Sequence, residues 1–550
     1  MKKTLHLFSL CFSIVFLFSC ENNTTNNVKI MSPSSPRSMN EGSSSAKEAS
    51  REQNYTYDAV QEQEPIVTGD IINTEEYDKI EENAFKEVKQ TPVSTFSIDV
   101  DNASYSNIRR YLDAAEMPPV GAIRIEEMIN YFDYDYAQPQ GEDPFSINTE
   151  ISTAPWNAEH HLIHIGLQGK KLDYNDLKSS NLVFLIDASG SMSNENKLPL
   201  LKKSLKLLLS ELDDKDRVAI VAYAGAAGLV LPSTPASQRE TILNALDGVN
   251  SGGSTAGGEG IELAYKIAKE NLISDGNNRV ILATDGDFNV GVSSSSELVS
   301  LIEEKRKEAI YLTICGFGMG NYKDGRMEQI SNAGNGNYFY IDNIREAKKV
   351  FVTQMRANMF TIAKDVKIQI EFNPQTIKAY RLIGYENRLL AKEDFDDDTK
   401  DAGELGAGHT VTAIYEVILT DSESTQVIAK TNDLKYQTKT VSGNNSDLMT
   451  VKFRYKPIQS EQSILLEQVL HKSDLKSLES SSDNYRFSAA VAGFGLLLRD
   501  SQFKGTATYG TISSLAKGAL GTDKENYRTE FLQLIETANT LQSFDVKTDK

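Results

Sequence analysis

The run Asn181-Leu-Val-Phe-Leu-Ile-Asp187-Ala-Ser189-Gly-Ser191-Met-Ser193 constrains this chain more than any other. Leu182 to Ile186 are apolar at every position, so a strand made from them must be covered on both faces. A parallel sheet layered between helices meets that demand, whereas a sheet with one wet face does not. The run then breaks abruptly into Asp-x-Ser-x-Ser. Ligands of open α/β sheets sit off the carboxyl ends of strands. One carboxylate and two hydroxyls therefore stand at the mouth of a central strand, where a hard cation can be held.

The surrounding sequence repeats this strand-then-helix alternation to about residue 359. Strands are expected at 182–186, 217–224, 228–232, 279–284, 310–317 and 337–341. Helices are expected at 197–212, 260–270 and 296–308, the last with a capping run at Ser293-Ser-Ser-Ser-Glu297. Val280-Ile-Leu-Ala is again apolar on both faces. The class is a doubly wound, Rossmann-like α/β domain.

Two more polar signals fall on strand ends of this unit. Gly252-Gly253-Ser254-Thr255 precedes the helix near Gly260, and Asp285-Gly286 follows the strand Val280-Ile-Leu-Ala-Thr. Alternate residues of an extended loop turn the same way, so Ser189 and Ser191 can face one point. The donors are two carboxylates and three hydroxyls, all oxygen. That suits Mg²⁺ or Mn²⁺ and disfavours zinc. Any one of these elements alone also reads as a helix cap or a turn. Their order along successive strand ends resembles the metal-ion-dependent adhesion site of a von Willebrand factor type A domain. The resemblance implies that Ser189, Ser191 and Thr255 ligate the metal directly, and Asp187 and Asp285 largely through water. Thr255 rather than Ser254 matches the threonine of that motif, because Ile261 then takes the apolar helix position that follows. The implied function is recognition without catalysis: a partner protein offers an Asp or Glu carboxylate to the ion. No convincing general base lies nearby in the sequence, which argues against a metal-assisted hydrolase.

The flanks carry a narrower resemblance. Tyr105-Ser-Asn-Ile-Arg-Arg-Tyr-Leu, Pro118-Pro119, Arg124-Ile-Glu-Glu-Met-Ile-Asn-Tyr-Phe132 and the stretch from Asn387 to Thr412 are similar to the bacterial YfbK-like von Willebrand type A proteins. That group carries dedicated regions before and after the α/β domain. The expected division is 74–177 for an N-terminal flank of helices and strands, 178–362 for the α/β domain, and 363–550 for the C-terminal region. The last is β-rich over 363–457 and helical over 458–550. Strands near 366–372, 410–419, 426–430 and 448–455 are expected to join those of 145–167 in a β-sandwich. A structural scaffold, with binding done by the flanks, is the alternative function.

The first residues read as a targeting signal. Met1-Lys2-Lys3 is basic, Leu5 to Phe18 is apolar but short for a membrane span, and Leu17-Phe18-Ser19-Cys20 resembles a bacterial lipobox. The resemblance implies cleavage after residue 19, lipidation of Cys20 and anchoring of a bacterial envelope protein to a membrane by its acyl chains. Glu21 is not the aspartate that signals inner-membrane retention, which points to the outer membrane. Residues 20–73, rich in Asn, Ser, Glu and Thr, read as a disordered tether. The formal charge of −20 excludes a general nucleic-acid binder. Of Cys11, Cys20 and Cys315, the last lies in an apolar strand pattern and reads as a buried hydrophobe.

Other motifs fall away. An EF-hand begun at Asp394 would need Gly at 399 and Glu at 405, where the chain has Thr399 and Leu405. It reads as a solvated acidic loop. His160 and His164 share a strand face but lie roughly 13 Å apart, too far for one metal, so a surface strand is expected there. Gly316-Phe-Gly318-Met-Gly320 lacks the third glycine of a dinucleotide fingerprint.

Overall fold

The computed structural model describes residues 75–173, 177–253, 257–286, 295–320, 322–400, 402–428 and 444–548. The expected signal peptide, the tether and Cys20 lie outside the described residues.

The α/β domain holds a six-stranded sheet. Its spatial order is Tyr338–Ile341, Tyr311–Phe317, Asn277–Thr284, Ser180–Asp187, Arg217–Tyr223 and Ala227–Pro235. Neighbours are parallel except the last pair, which is antiparallel. Ser180–Asp187 is buried throughout. Leu182, Phe184 and Ile186 enter one apolar cluster with helix Leu198–Glu211. Val183 and Leu185 enter another with helix Gly257–Glu270. The unbroken apolar run is thus divided between two helical layers, as a parallel sheet requires. Helices Arg239–Gly248 and Asp324–Ala333 complete the layers without having been expected from the sequence.

The flanks fold together. One antiparallel sheet sets Phe145–Ala154 beside Asn157–Gly169, Thr410–Leu419 and Ile377–Ile383. The other sets Val93–Ser97 beside Thr361–Phe372, Asp447–Pro457 and Ile464–His471. Phe96, Ile165, Ile368, Tyr415 and Phe453 meet in the core between the two sheets. The expected sandwich of both flanks therefore forms. Strand 361–372, however, pairs with 93–97, while 410–419 pairs with 157–169. A third cluster joins helices Ala103–Asp113, Ile125–Asn130, Asp483–Leu498, Tyr509–Lys517 and Tyr527–Thr548 through Tyr105, Tyr131, Phe132, Phe487 and Phe531. Among the described residues no helix is long and apolar enough to cross a membrane. The apolar stretch near Phe487 is core.

Several local expectations are corrected. Ile464–His471 is a strand inside the region expected to be helical, because its edge pairing with 447–457 overrides the helix preference of Leu, Glu and Gln. Gln426 to Ile428 form no strand, and Val427 is 85% exposed. The rest of the expected 426–430 strand lies outside the described residues. The strand around His160 is central in its sheet. His160 and His164 are buried, held by Glu416 (2.6 Å) and by the Tyr136 hydroxyl (2.9 Å). The last helical segment of the α/β domain is broken into Ile344–Lys348, a π turn at Lys349–Thr353, and Met355–Met359. The break falls where the buried Lys349 ammonium donates to the Tyr131 carbonyl at 2.6 Å. Cys315 is buried as expected, and desolvation pushes its thiol up. The acidic loop near Asp396 is partly neutralised by Arg454, 2.6 Å from Asp396.

Candidate metal centre

Asp187 ends the central strand, level with Tyr223 on the next strand. Ser180–Asp187 is one residue longer than its neighbour's pairing reaches, since Ile186 is the last residue registered with 277–284. The chain therefore leaves the sheet at Asp187, and Ser189 is already in the loop. The Ser189 N–H donates to Asp187 Oδ1 at 2.9 Å, folding the loop back over the carboxylate. Ser189 Oγ and Ser191 Oγ are then 3.0 Å apart. The two hydroxyls come together as expected, but through a 3-10 turn over Gly190–Ser193 and not through the alternation of an extended loop.

The second loop is tied to the first by its backbone. Gly252 N–H donates to the Ala188 carbonyl at 2.8 Å, and Gly190 N–H donates to the Gly253 carbonyl at 3.1 Å. Gly253 has φ +82°, a conformation that side chains rarely adopt. Thr255 follows two residues later and lies outside the described residues, so its place relative to the serines is not described.

Asp285 follows the neighbouring strand and is fully buried, as is Asp187. Gly286 turns the chain with φ +97°, and a Cβ there would lie 2.9 Å from Tyr322 Cα. Burial pushes the Asp187 carboxyl above its ordinary value, the Ser189 hydrogen bonds oppose that, and the Asp285 charge adds to the rise. The two desolvated carboxylates repel each other, and a positive charge beside them relieves that repulsion.

Three more residues act at the site: Thr284, which belongs to the Thr284-Asp285-Gly286 signal but was given no role, and Tyr223 and Lys197, which the sequence did not single out. The hydroxyls of Tyr223 and Thr284 both donate to Asp187 Oδ2, each at 3.2 Å. They orient the carboxylate from the sheet side. Lys197, 5% exposed, places Nζ 2.8 Å from Asp285 Oδ2. Its stem is covered by Gly318, where a Cβ would come 2.2 Å from Lys197 Cε. Nothing in the sequence marks Lys197, which looks like any lysine at a helix start.

The described donors are oxygens alone, and two of them are buried carboxylates. This set fits a hard divalent cation. Lys197 already supplies one positive charge, so an ion would share Asp285 with it. Among the described residues, another trio of carboxylates, Asp101, Glu127 and Glu328, also comes together, but Arg388 and Arg124 are bonded into it.

Comparison with known proteins follows the same division of the chain. Residues 181–353 match the von Willebrand factor type A domain, residues 71–164 match a region described as "von Willebrand factor", and residues 357–541 match "Uncharacterized protein YfbK, C-terminal". The chain is 41% identical over 476 residues to YfbK of Escherichia coli strain K12, covering 85% of this chain and 81% of that protein. It is 25% identical over 233 residues to the magnesium-chelatase 67 kDa subunit of Chlorobaculum tepidum, covering 36% of each. A solved von Willebrand factor type A protein from Catenulispora acidiphila covers 72% of this chain and 91% of its own, at 18% identity and a TM-score of 0.39.

Proposed function

Because this chain belongs to the YfbK family of von Willebrand type A proteins, we propose that its α/β domain recognises a protein partner through a divalent cation, Mg²⁺ or Mn²⁺, and catalyses no reaction. The observation that carries this reading is the pair of buried carboxylates, Asp187 and Asp285, opening onto two serine hydroxyls 3.0 Å apart. Asp187, Ser189, Ser191 and Asp285 would hold the ion, with Thr255 as the remaining ligand the motif implies. A bound divalent cation keeps waters and offers an exchangeable coordination position to an Asp or Glu carboxylate.

The chain's own groups prepare that exchange. Tyr223 and Thr284 fix the Asp187 carboxylate, so it cannot swing to meet the partner. Ser189 is buried beside the carboxylate, and Ser191 is exposed on the side where a ligand arrives. Burial of both aspartates keeps bulk water from screening the charge they present.

We place the protein in a bacterial cell envelope, tethered by lipid on Cys20 through residues 20–73, with the outer membrane as the anchoring surface. The support for this is the basic, apolar and cysteine order of the first twenty residues. The test is capture from an envelope extract by the wild-type chain in Mg²⁺, by the same chain in EDTA, and by Asp187→Ala in Mg²⁺. A partner retained only by the wild type in Mg²⁺ is the expected result. A partner retained equally in all three would move recognition to the flanks and leave the α/β domain as scaffold.

A further inference from the structure

One wall of the metal centre is a loop that residues from the N-terminal flank hold in place. This loop, 318–323, follows strand Tyr311–Phe317. Its contacts fall into two sets. Toward the metal centre, Gly318 packs on the Lys197 stem, and the Tyr322 backbone lies against Gly286, the residue after Asp285. Toward the flank, the Gly320 N–H donates to Glu75 Oε1 at 2.8 Å, and the Tyr322 carbonyl accepts from the Glu76 N–H at 3.0 Å. Lys323 Nζ reaches Glu76 Oε1 at 2.7 Å.

Glu75 is itself firmly held. Its side chain is 3% exposed and accepts from Arg110 at 2.8 and 3.0 Å, from the Tyr111 hydroxyl at 2.7 Å and from the Tyr77 hydroxyl at 2.9 Å. Burial raises its carboxyl, but the hydrogen bonds of Arg110, Gly320 and Tyr111 outweigh burial and bring it down to about 2. Its bond to Gly320 is therefore charge-assisted, the stronger kind. Arg110 carries a second route to the same loop. Its guanidinium carbon lies 5.4 Å from the Tyr340 ring centre, and the Tyr340 hydroxyl donates to the Gly318 carbonyl. Glu75 thus acts on the loop at Gly320 directly and at Gly318 through Arg110 and Tyr340.

Gly318 is where this matters for the ion. Lys197 Nζ sits 2.8 Å from Asp285 Oδ2, the carboxylate an ion would share. A lysine ammonium is strongly hydrated and rides on a flexible four-carbon stem. Only a packed stem keeps it out of water and on Asp285. We propose that Glu75 is a positioning residue of the metal centre: it clamps loop 318–323 over the Lys197 stem, keeps the ammonium on Asp285, and so holds down the affinity for a divalent cation. The proposal rests on the divalent-cation reading given above. Freeing the loop from residues 75 and 76 releases the ammonium and raises the affinity, so this contact sets how readily the centre loads.

The experiment compares the full chain with Glu75→Ala in two readouts. The first needs no metal: in EDTA, the rate at which formaldehyde and borohydride methylate Lys197, read by mass spectrometry of the digested chain. The second is calorimetric titration with MgCl₂. Glu75→Ala should quicken Lys197 methylation by about threefold or more and raise Mg²⁺ affinity by about three- to tenfold. Glu75→Gln keeps an oxygen for the Gly320 N–H and should fall between the two. In a Lys197→Met background, Glu75→Ala should leave Mg²⁺ affinity within about twofold, because the competing charge is already gone. Should Glu75→Ala fail to fold, Glu76→Pro, which removes the N–H given to Tyr322, should shift both readouts in the same direction. A wild type that binds Mg²⁺ with the affinity of a folded Glu75→Ala chain would overturn this proposal alone. So would an unchanged Lys197 methylation rate, or an affinity gain that persists without Lys197. A wild type that takes up no Mg²⁺ would overturn the divalent-cation reading and this proposal with it.

Discussion

Lys197→Met is the sharpest probe of the metal centre, because it separates an ion-binding site from an internally neutralised one. In the wild type, two buried carboxylates and one ammonium leave the site with one net negative charge. The Lys197 to Asp285 contact is 2.8 Å, with side chains 7% and 0% exposed. At that distance and an effective dielectric near 20, the Coulomb attraction is about 6 kcal/mol. Part of that offsets the desolvation of both groups, and removing one partner of such a pair costs about 3–5 kcal/mol. The variant should therefore be destabilised in EDTA, lowering Tm by about 6–10 °C at roughly 2 °C per kcal/mol. The same change removes the charge that competes with an ion for Asp285. Mg²⁺ affinity should rise by about ten- to hundredfold, which corresponds to about 1.4–2.8 kcal/mol. Saturating Mg²⁺ should then restore most of the lost Tm, since a ligand of the native state stabilises it by mass action. Thermal unfolding across a Mg²⁺ series, with calorimetric titration beside it, reads both quantities. If the variant bound Mg²⁺ no more tightly than the wild type, the competition between Lys197 and the ion would be wrong. If its Tm in EDTA were unchanged, the buried pair would not be holding the loop.

Two further perturbations follow from buried charge in the flanks. Arg109 is bonded to Asp342, Glu346 and Glu530 at 2.6–2.9 Å, so Arg109→Met should cost about 3–5 kcal/mol and open the 344–359 segment to protease; unchanged cleavage of that segment would remove Arg109 from its support. Glu126 is buried, and desolvation with the Glu386 charge raises its carboxyl to about 7. The native state then holds a proton that the unfolded chain has released, so this group lowers stability as pH rises from about 4.5 to about 7. Glu126→Gln should be more stable than the wild type at pH 8, by up to about 3 kcal/mol, and equal to it near pH 4; denaturant unfolding at the two pH values checks the sign.

The α/β domain was legible because its signals are local. Leu182 to Ile186 declares burial on both faces within five residues, and Asp-x-Ser-x-Ser sets its own hydroxyl spacing. Helices 239–248 and 324–333 were missed because short amphipathic patterns do not stand out against loops. Strand 464–471 was misread for the reason that edge strands often are: its partner, 447–457, decides its state, while its own composition favours a helix. Lys197 shows the same limit at the site. A lysine becomes a partner of Asp285 only when Gly318, more than a hundred residues on, lets its stem pass.

The flanks lie further still beyond local reading. Arg109 meets partners 233, 237 and 421 residues away, and Val93–Ser97 finds its strand partner at 367–371. Pairings of that span are fixed by the closed fold alone, which is why the sequence could predict a shared sandwich from strand-like patterns on both sides but not its registers. The same interlocking has a consequence for the segment 344–359. Arg109, Tyr131 and Glu530 hold Glu346 and Arg345 from helices at opposite ends of the chain. Lys349 is pinned to the Tyr131 carbonyl, and a π turn begins at that residue. The route out of the α/β domain therefore runs through a segment whose polar groups are spent on the flanks, so a rearrangement of this segment must first break buried charge pairs. Stability and any movement of that exit are set by the same residues.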